Sequence, residues 1–171
     1  MPRTLKSLKT PLRYPGGKSK AVPKLLQYLP NLFQVKEYRE PFLGGGSVAL
    51  LFTQMYPDVP VWVNDKYNYL YNFWVHLQKD GKKLSDDLVS TKTDNSTEDK
   101  AKELFKDAKD KIHKEDPYTQ AILFWVLNKC SYSGLTENSS FSATASRQNF
   151  TVKEISRKFR KISCFTDYVS Q

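Results

Sequence analysis

The sequence has few of the residues that hold metal ions or form disulfides. Its 171 residues include only two cysteines and two histidines. Cys130 and Cys164 lie far apart and lack the spacing of metal ligands, so we interpret them as buried or free thiols in a reducing cytoplasm. This composition argues against a structural disulfide and against a metal site.

Long apolar runs are missing too. The longest, Ala121 to Leu127, is far shorter than the roughly 20 residues of a membrane-spanning helix. The N-terminus carries lysines without the apolar segment of a signal peptide. With 39% hydrophobic and 13% aromatic residues, the chain is able to form the packed core of one domain. We therefore expect a cytoplasmic protein that makes no membrane contact.

Acidic residues are absent before Glu37, although the chain as a whole is nearly balanced after that point. The basic residues of this first segment are Arg3, Lys6, Lys9, Arg13, Lys18, Lys20, Lys24 and Lys36. The net charge of the chain is +9. A concentrated basic segment favours a polyanion partner, most simply nucleic acid, and the alternative is a solvated basic tail.

A glycine-rich turn is the strongest local signal. The segment Val35 to Phe42 predicts a strand, Ser47 to Met55 predicts a helix, and Gly44-Gly45-Gly46 joins them. A second predicted strand, Val59 to Asn64, ends at Asp65. Glycines bring backbone N–H groups close to a ligand, and an acid at the next strand end suits the hydroxyls of a ribose. We predict a nucleoside-containing cofactor on a Rossmann-like sheet; the alternative is a tight turn without a ligand.

A second loop, Arg13-Tyr14-Pro15-Gly16-Gly17-Lys18, imitates part of a phosphate-binding P-loop. The full P-loop pattern needs a glycine where Leu12 stands and a strand before it, which excludes nucleoside triphosphate binding here. A loop with two glycines and a lysine ahead of a helix can still bind a carboxylate or phosphate at the N-terminus of that helix. The helix that follows is predicted from Ser19 to Tyr28.

The remainder of the chain predicts a mostly helical region. We expect a helix over 66–78 with Gly81 as its C-cap, and then a polar connection with a short helical piece over 82–95. An amphipathic helix over 97–114 follows, and after it a buried helix from Pro117 to Lys129 that is capped by Asp116. The last expected elements are a polar loop or hairpin to Phe150, a helix from the Thr151 capping box to Lys161, and a strand from Ile162 to Phe165.

Four blocks together resemble the Dam-like (D12 class) family of DNA adenine-N6 methyltransferases, from Pro11 to Asp167. They are Arg13 to Lys18, Glu40 to Ser47, Asn64-Asp65 and Leu127 to Leu135, in the family's order. The resemblance implies an α/β fold, with a Rossmann-like S-adenosylmethionine-dependent sheet, incomplete here, over residues 1–66 and 161–171. An inserted, mainly helical target-recognition region with a hairpin would occupy residues 67–160.

The resemblance also implies the site residues. S-adenosylmethionine would contact Tyr14, Lys18, Glu40, Pro41, Phe42, Gly44, Gly46, Asp65, Phe165 and Asp167, with Asp65 on the ribose and the last two on the adenine side. Double-stranded DNA would contact Arg13, Lys129, Tyr132, Ser133, Leu135 and Arg147. Members that read GATC carry an arginine where this chain has Glu137, so a GATC target is in doubt, with Arg147 only a weak substitute candidate. Tyr132 on an ordinary surface hairpin remains the alternative.

The family's catalytic motif, Asp-Pro-Pro-Tyr, does not occur in the sequence. Asp116-Pro117-Tyr118 lacks the second proline and opens a helix, so we assign no catalytic residue. We expect the N-terminal portion of an enzyme from a bacterium or a phage-infected cell, with little activity alone and a possible second chain supplying the motif. The alternatives are a non-catalytic DNA-binding module derived from a methyltransferase and, on the glycines and acid alone, an NAD-binding oxidoreductase.

Overall fold

A computed structural model of the protein describes residues 9–28 and 35–162. The fold is mixed α/β and mostly helical. The helices are α1 (Val22–Leu25), α2 (Ser47–Met55), α3 (Asn68–Asp94), α4 (Glu98–Lys111), α5 (Pro117–Cys130), α6 (Ala143–Asn149) and α7 (Val152–Ile162), and the strands are β1 (Tyr38–Glu40) and β2 (Val61–Val63). Single 3₁₀ turns occur at Lys18–Lys20, Leu26–Tyr28, Tyr132–Gly134 and Thr136–Asn138.

The two strands form a parallel pair within the predicted strand segments, although both are shorter than expected. Tyr38 pairs with Val61 and Glu40 with Val63. Helix α2 begins and ends where the sequence predicts and packs on this pair, since the ring of Phe52 stacks on Tyr38 with centroids 4.3 Å apart. Because the strands are parallel, the glycine turn and Asp65 follow the same edge of the sheet.

Helix α5 is the centre of the helical region. It is apolar nearly all round, and its side chains from Phe124 to Leu127 are fully buried, as the sequence predicts. Three rings from different helices meet there. Trp125 lies 5.5 Å from Phe73 of α3 and 5.2 Å from Phe159 of α7, measured between centroids. The core therefore joins α3, α5 and α7 through aromatic contacts.

Helix α3 corrects one prediction. The segment 82–95, predicted as a polar connection with only a short helical piece, is helical up to Asp94, and its Leu84 and Leu88 are fully buried. The helix is interrupted only at Asp80, whose φ and ψ are −154° and 75°. The Asp80 side chain accepts the Lys83 N–H at 2.8 Å and so caps a new helical run, which makes Gly81 a helix start and not a C-cap.

The predicted helix starts are confirmed by their caps. The side chains of Thr97, Asp116 and Thr151 accept N–H groups from the first turns of α4, α5 and α7 at 3.3, 2.9 and 3.2 Å. In a complete capping box the Glu154 carboxylate would also accept the backbone N–H of Thr151. In the structure this carboxylate forms an ion pair with Arg157 at 2.6 Å.

Two further segments differ from expectation. The predicted helix from Ser19 to Tyr28 is broken into two 3₁₀ turns and the four-residue α1. A short helix is stable only where a buried face supports it, and among the side chains described in this stretch only Val22 is buried. The predicted loop or hairpin contains one antiparallel bridge, Ser131 to Phe141, followed by the unpredicted α6.

The predicted strand from Ile162 to Phe165 begins at the last residue of α7, and its remainder lies outside the described residues. Within the described ranges, none of the helices combines the length and apolar character needed to cross a membrane.

Candidate functional site

The glycine turn is shaped by aromatic rings on both of its sides. Gly44 and Gly46 have positive φ values of 51° and 68°, which glycine adopts without strain. A Cβ on Gly44 would lie 3.0 Å from the Tyr14 ring, and one on Gly46 would lie 2.8 Å from the ring of Trp74. The Trp74 indole N–H also donates to the Gly44 carbonyl at 3.1 Å. Larger residues are thus excluded from the turn by packing as well as by conformation.

The two predicted cofactor loops line one cavity. It has a volume of about 350 Å³. Its walls are Tyr14, Pro15, Gly16, Gly17, Lys18, Glu40, Phe42, Leu43, Gly44, Gly45, Gly46, Ser47 and Val48. The loops are more than 20 residues apart in sequence, and a hydrogen bond of 2.8 Å between the Ser19 and Ser47 hydroxyls ties their ends together. The structure therefore brings together Tyr14, Lys18, Glu40, Phe42, Gly44 and Gly46.

Glu40 supplies the acidic group of this cavity. Its carboxylate accepts the Tyr38 hydroxyl at 3.0 Å and a backbone hydrogen bond from Ala49 in the first turn of α2. Burial raises the pKa of Glu40, although these two hydrogen bonds act in the opposite direction. The site thus holds a partly desolvated carboxylate, which favours a cationic ligand group.

Lys18 supplies the basic group. Its ammonium donates to the Gly16 carbonyl at 2.7 Å and is exposed to solvent. An exposed charged amine in the lining of the cavity suits a carboxylate or a phosphate. Phe42 is 80% exposed although it lines the cavity, which leaves a large apolar ring open to a ligand.

Asp65 lies beside the cavity and not in its wall. One carboxylate oxygen accepts the Gly44 N–H at 2.8 Å, and the other accepts the Tyr67 N–H at 3.0 Å. Each carboxylate oxygen keeps a second lone pair for another donor. Pro41 is exposed and lies outside the cavity wall, and Phe165 and Asp167 lie outside the described residues.

Comparison with known proteins identifies the family. The sequence profile of the D12 class N6 adenine-specific DNA methyltransferase matches residues 14–164. The chain belongs to this family. The match includes the cavity loops, Asp65 and the whole helical region.

A curated relative supports the assignment. The Type II methyltransferase M.MjaIII of Methanocaldococcus jannaschii is 29% identical over 133 residues, which cover 72% of this chain and 46% of the relative. The chain thus spans less than half of that relative's length.

Three of the residues predicted to face DNA, Tyr132, Ser133 and Leu135, lie in the turns after α5. Tyr132 is 66% exposed and Leu135 is 43% exposed. Ser133 is exposed with a positive φ of 54°, and Thr136 has a φ of 53°. Positive φ values at non-glycine residues are uncommon and cluster at functional turns.

A second cavity of about 310 Å³ lies between these turns and the first loop. It shares Tyr14 and Pro15 with the glycine-loop cavity. Its remaining walls are Tyr67, Phe124, Gly134, Leu135, Thr136 and Asn138. The Tyr14-Pro15 segment therefore stands between the predicted cofactor side and the predicted DNA side.

Two of the predicted DNA contacts have other partners in the structure. Lys129 is only 3% exposed, its ammonium donates to the Pro11 carbonyl, and burial lowers its pKa well below the ordinary value. The Arg13 guanidinium donates to the Ser131 carbonyl at 2.9 Å. Lys129 is therefore an interior residue here, because its side chain is enclosed between the first loop and α5.

The other two charged residues of interest occupy different surroundings. Arg147 on α6 is exposed and lies 3.8 Å from the Glu98 carboxylate, an ion pair that contributes little in solvent. The Glu137 carboxylate accepts a hydrogen bond from the Tyr67 hydroxyl. Glu137 is thus a carboxylate held by the side chain of Tyr67.

Sequence reasoning missed Asn128 and Trp74. Asn128 is fully buried and bonds to the backbone of Arg13, while Trp74 packs under the glycine turn. The available signal for Asn128 was a polar residue directly after the apolar run of the buried helix α5. Trp74 shares the periodicity of the core residues of α3, so no signal separated it from them.

Proposed function

We propose that this chain is the cofactor-binding and target-recognition part of a DNA adenine-N6 methyltransferase. The enzyme would move the methyl group of S-adenosylmethionine to N6 of an adenine in duplex DNA. One observation carries the proposal: the two loops that the family resemblance assigns to the same cofactor, more than 20 residues apart in sequence, line one cavity of about 350 Å³. Family membership supports the same reaction class.

The chemistry of the cavity fits the methionine end of this cofactor. The cofactor carries an α-ammonium and a sulfonium, both cationic, and one carboxylate. Glu40 would attract the cations, and Lys18 would attract the carboxylate. Tyr14 and Phe42 offer aromatic faces to a cation and to the apolar chain of the ligand.

The nucleoside end would lie toward Asp65, Phe165 and Asp167. The free lone pairs of the Asp65 carboxylate suit two ribose hydroxyls, while the glycine turn lets the backbone approach closely. Phe165 would cover one face of the adenine.

This arrangement corresponds to the edge of a Rossmann-like sheet. We propose that residues 1–66 and 161–171 belong to the cofactor-binding domain and residues 67–160 to the inserted target-recognition region. The parallel pairing of β1 with β2, both followed by ligand-facing loops, supports that division.

Duplex DNA would bind on the side of Tyr132, Ser133 and Leu135, with Arg13 and Arg147 near phosphates. An adenine amine inside the base stack is out of reach of the cofactor, so the base has to leave the duplex. An exposed aromatic ring on a strained turn suits the gap that such a base leaves. We do not carry Lys129 forward as a DNA contact because it is buried.

Methyl transfer by residues 1–171 alone should be weak. The adenine amine needs hydrogen-bond acceptors that orient its lone pair, and the Asp-Pro-Pro-Tyr motif that supplies them in the family is not in this sequence. A second chain with that motif would complete the site. The setting we propose is a restriction–modification system in the cytoplasm of a bacterium or a phage-infected cell.

Calorimetric titration of residues 1–171 with S-adenosyl-L-homocysteine tests the proposal, with NAD⁺ as the comparison ligand. We expect saturable one-site binding of the first ligand and none of NAD⁺. A companion assay follows transfer of a labelled methyl group to DNA, and it should give little product. DNA binding without any affinity for S-adenosyl-L-homocysteine would instead favour the non-catalytic DNA-binding module.

A further inference from the structure

Two consecutive residues, Arg13 and Tyr14, contact different sites. The side chain of Tyr14 lies against the glycine turn, where a Cβ on Gly44 or Gly45 would be 3.0 Å from a Tyr14 atom. The backbone of Arg13 lies against the turn after α5, where a Cβ on Gly134 would be 2.5 Å from the Arg13 carbonyl oxygen. Because consecutive Cα atoms are only about 3.8 Å apart, a shift at one contact is transmitted to the other.

Asn128 holds this dipeptide in place. Its side-chain carbonyl accepts the Arg13 N–H at 3.0 Å, and its amide donates to the Arg13 carbonyl at 2.6 Å. The same amide lies 3.5 Å from the Gly134 carbonyl. One fully buried side chain thus bonds both backbone groups of Arg13 and reaches the turn on the predicted DNA side.

The turn is strained and braced by the end of α5. Ser133 and Thr136 both have positive φ values, which is costly for a β-branched residue such as Thr136. The Thr136 N–H donates to the Ser131 hydroxyl at 3.2 Å, and the Arg13 guanidinium donates to the Ser131 carbonyl at 2.9 Å. The conformation of the turn therefore depends on the position of Arg13.

We propose that Asn128 is a positioning residue that couples the glycine-loop cavity to the turn at Tyr132 and Ser133, so that cofactor and duplex DNA strengthen each other's binding. This inference rests on the proposed function. A ligand that packs against Tyr14 fixes Arg13, and through Asn128 it fixes the turn before DNA arrives. The second ligand then meets an ordered site and loses less conformational entropy on binding. By linkage the effect is reciprocal.

The experiment measures the affinity of residues 1–171 for a fluorescein-labelled random-sequence duplex at fixed salt, without and with saturating S-adenosyl-L-homocysteine. We expect DNA affinity to rise by about fivefold or more with the cofactor product. The reverse titration, S-adenosyl-L-homocysteine without and with the duplex, should give the same factor.

The variants separate coupling from stability. Asn128→Asp keeps an acceptor for the Arg13 N–H but loses both amide donors, and we expect its coupling factor to fall to about one. Asn72→Asp is the matched control, since Asn72 bonds Gln120 at 2.7 Å between α3 and α5, away from Arg13. Gly134→Ala pushes the turn away from the Arg13 carbonyl without changing Asn128, and it should also remove the coupling.

The outcomes discriminate clearly. If the wild-type protein binds both ligands but the coupling factor between them is about one, the inference is overturned and the proposed function stays intact. A coupling factor in folded Asn128→Asp that equals the wild-type factor overturns the inference too. If Asn128→Asp does not fold, a wild-type coupling factor in Gly134→Ala overturns it. Absence of S-adenosyl-L-homocysteine binding in the wild type would refute the proposed function itself.

Discussion

The carboxylate of Asp65 accepts the backbone N–H of Gly44 at 2.8 Å, which fixes the end of β2 to the turn that follows β1. Its other oxygen accepts the Tyr67 N–H at 3.0 Å, just before α3 begins. Asp65 therefore braces the glycine turn from outside the cavity. In the proposed function the same carboxylate receives the ribose hydroxyls, so one residue would serve both stability and binding.

Substitutions at Asp65 separate these two contributions. Asp65→Asn keeps one acceptor oxygen and should lower the free energy of unfolding by about 1–2 kcal/mol, whereas Asp65→Ala leaves two N–H groups without an acceptor and should cost about 3 kcal/mol. Both should weaken S-adenosyl-L-homocysteine binding by about tenfold or more because charged hydrogen bonds are lost. Urea titration and calorimetry measure the two effects.

Asp58→Ala serves as the matched control for Asp65, since Asp58 is an exposed aspartate near the same strand. It should change neither quantity. If Asp65→Asn unfolds more easily yet binds the ligand with wild-type affinity, the ribose role is wrong and the residue acts only as a brace.

Gly46→Ala tests the packing of the turn against α3. Alanine at this position would have to adopt a positive φ of 68°, and its methyl group would lie 2.8 Å from the Trp74 ring. We expect a loss of about 2–4 kcal/mol in the free energy of unfolding, from left-handed strain and overpacking together. Denaturant titration measures this loss.

Gly81→Ala is the contrasting substitution. Its methyl group would lie 3.4 Å from Leu77, an ordinary contact, and alanine favours a helix over glycine. Stability should be unchanged or should rise by up to about 1 kcal/mol. Equal losses in Gly46→Ala and Gly81→Ala would contradict the proposed cause.

Glu40 predicts a pH dependence of cofactor binding. Burial raises the pKa of Glu40 above its usual 4.5, so the charged form that attracts a cationic ligand is lost at a higher pH than for an exposed glutamate. Affinity for S-adenosyl-L-homocysteine should be full above the raised pKa and should fall as the pH drops through it. Calorimetry over a pH series measures this curve.

Glu40→Gln should bind about tenfold more weakly at neutral pH, and its affinity should vary less with pH than that of the wild type. Glu37→Gln is the control, because Glu37 is an exposed partner of Arg39 and should leave the curve unchanged. The same pH curve in wild type and Glu40→Gln would assign the dependence to another group.

The local signals in the sequence predicted the parts of the fold that depend on neighbouring residues. Helix α2 and the caps Thr97, Asp116 and Thr151 are examples, because cap chemistry acts within one helical turn. The full buried second half of α3 was missed because Gly81 was interpreted as the C-cap of the first half, whereas the Asp80 carboxylate restarts the helix there.

In the candidate site too, some features could be predicted from the sequence and others could not. The family resemblance placed Tyr14, Lys18, Glu40 and Gly44 around one ligand, and the structure brings these residues into one cavity. Burial of Lys129 could not be predicted in the same way. It depends on the Pro11 carbonyl and on the Trp125 ring, whose centroid is 4.2 Å from the ammonium, and the first of these contacts spans more than 100 residues of sequence.

Tyr132 gives the most direct test of the DNA-facing surface. Its ring is 66% exposed, and its backbone makes the local hydrogen bonds, with the Tyr132 N–H donating to the Ser140 carbonyl at 3.0 Å. Tyr132→Ala should therefore leave the melting curve unchanged. Affinity for duplex DNA should fall by about 5- to 100-fold, the range expected from losing one base–aromatic stack. Tyr132→Phe keeps the ring and should bind normally.

Salt distinguishes stacking from phosphate contacts at this surface. Binding to phosphates weakens steeply as salt rises, whereas a stacked ring contributes independently of salt. The ratio of wild-type to Tyr132→Ala affinity should thus stay constant across a salt series measured by fluorescence anisotropy, while both affinities decline. Tyr71→Ala removes a 43% exposed ring from a different face, on α3, and should leave DNA affinity unchanged. Equal effects of Tyr71→Ala and Tyr132→Ala would show that the turn after α5 is not the surface that meets DNA.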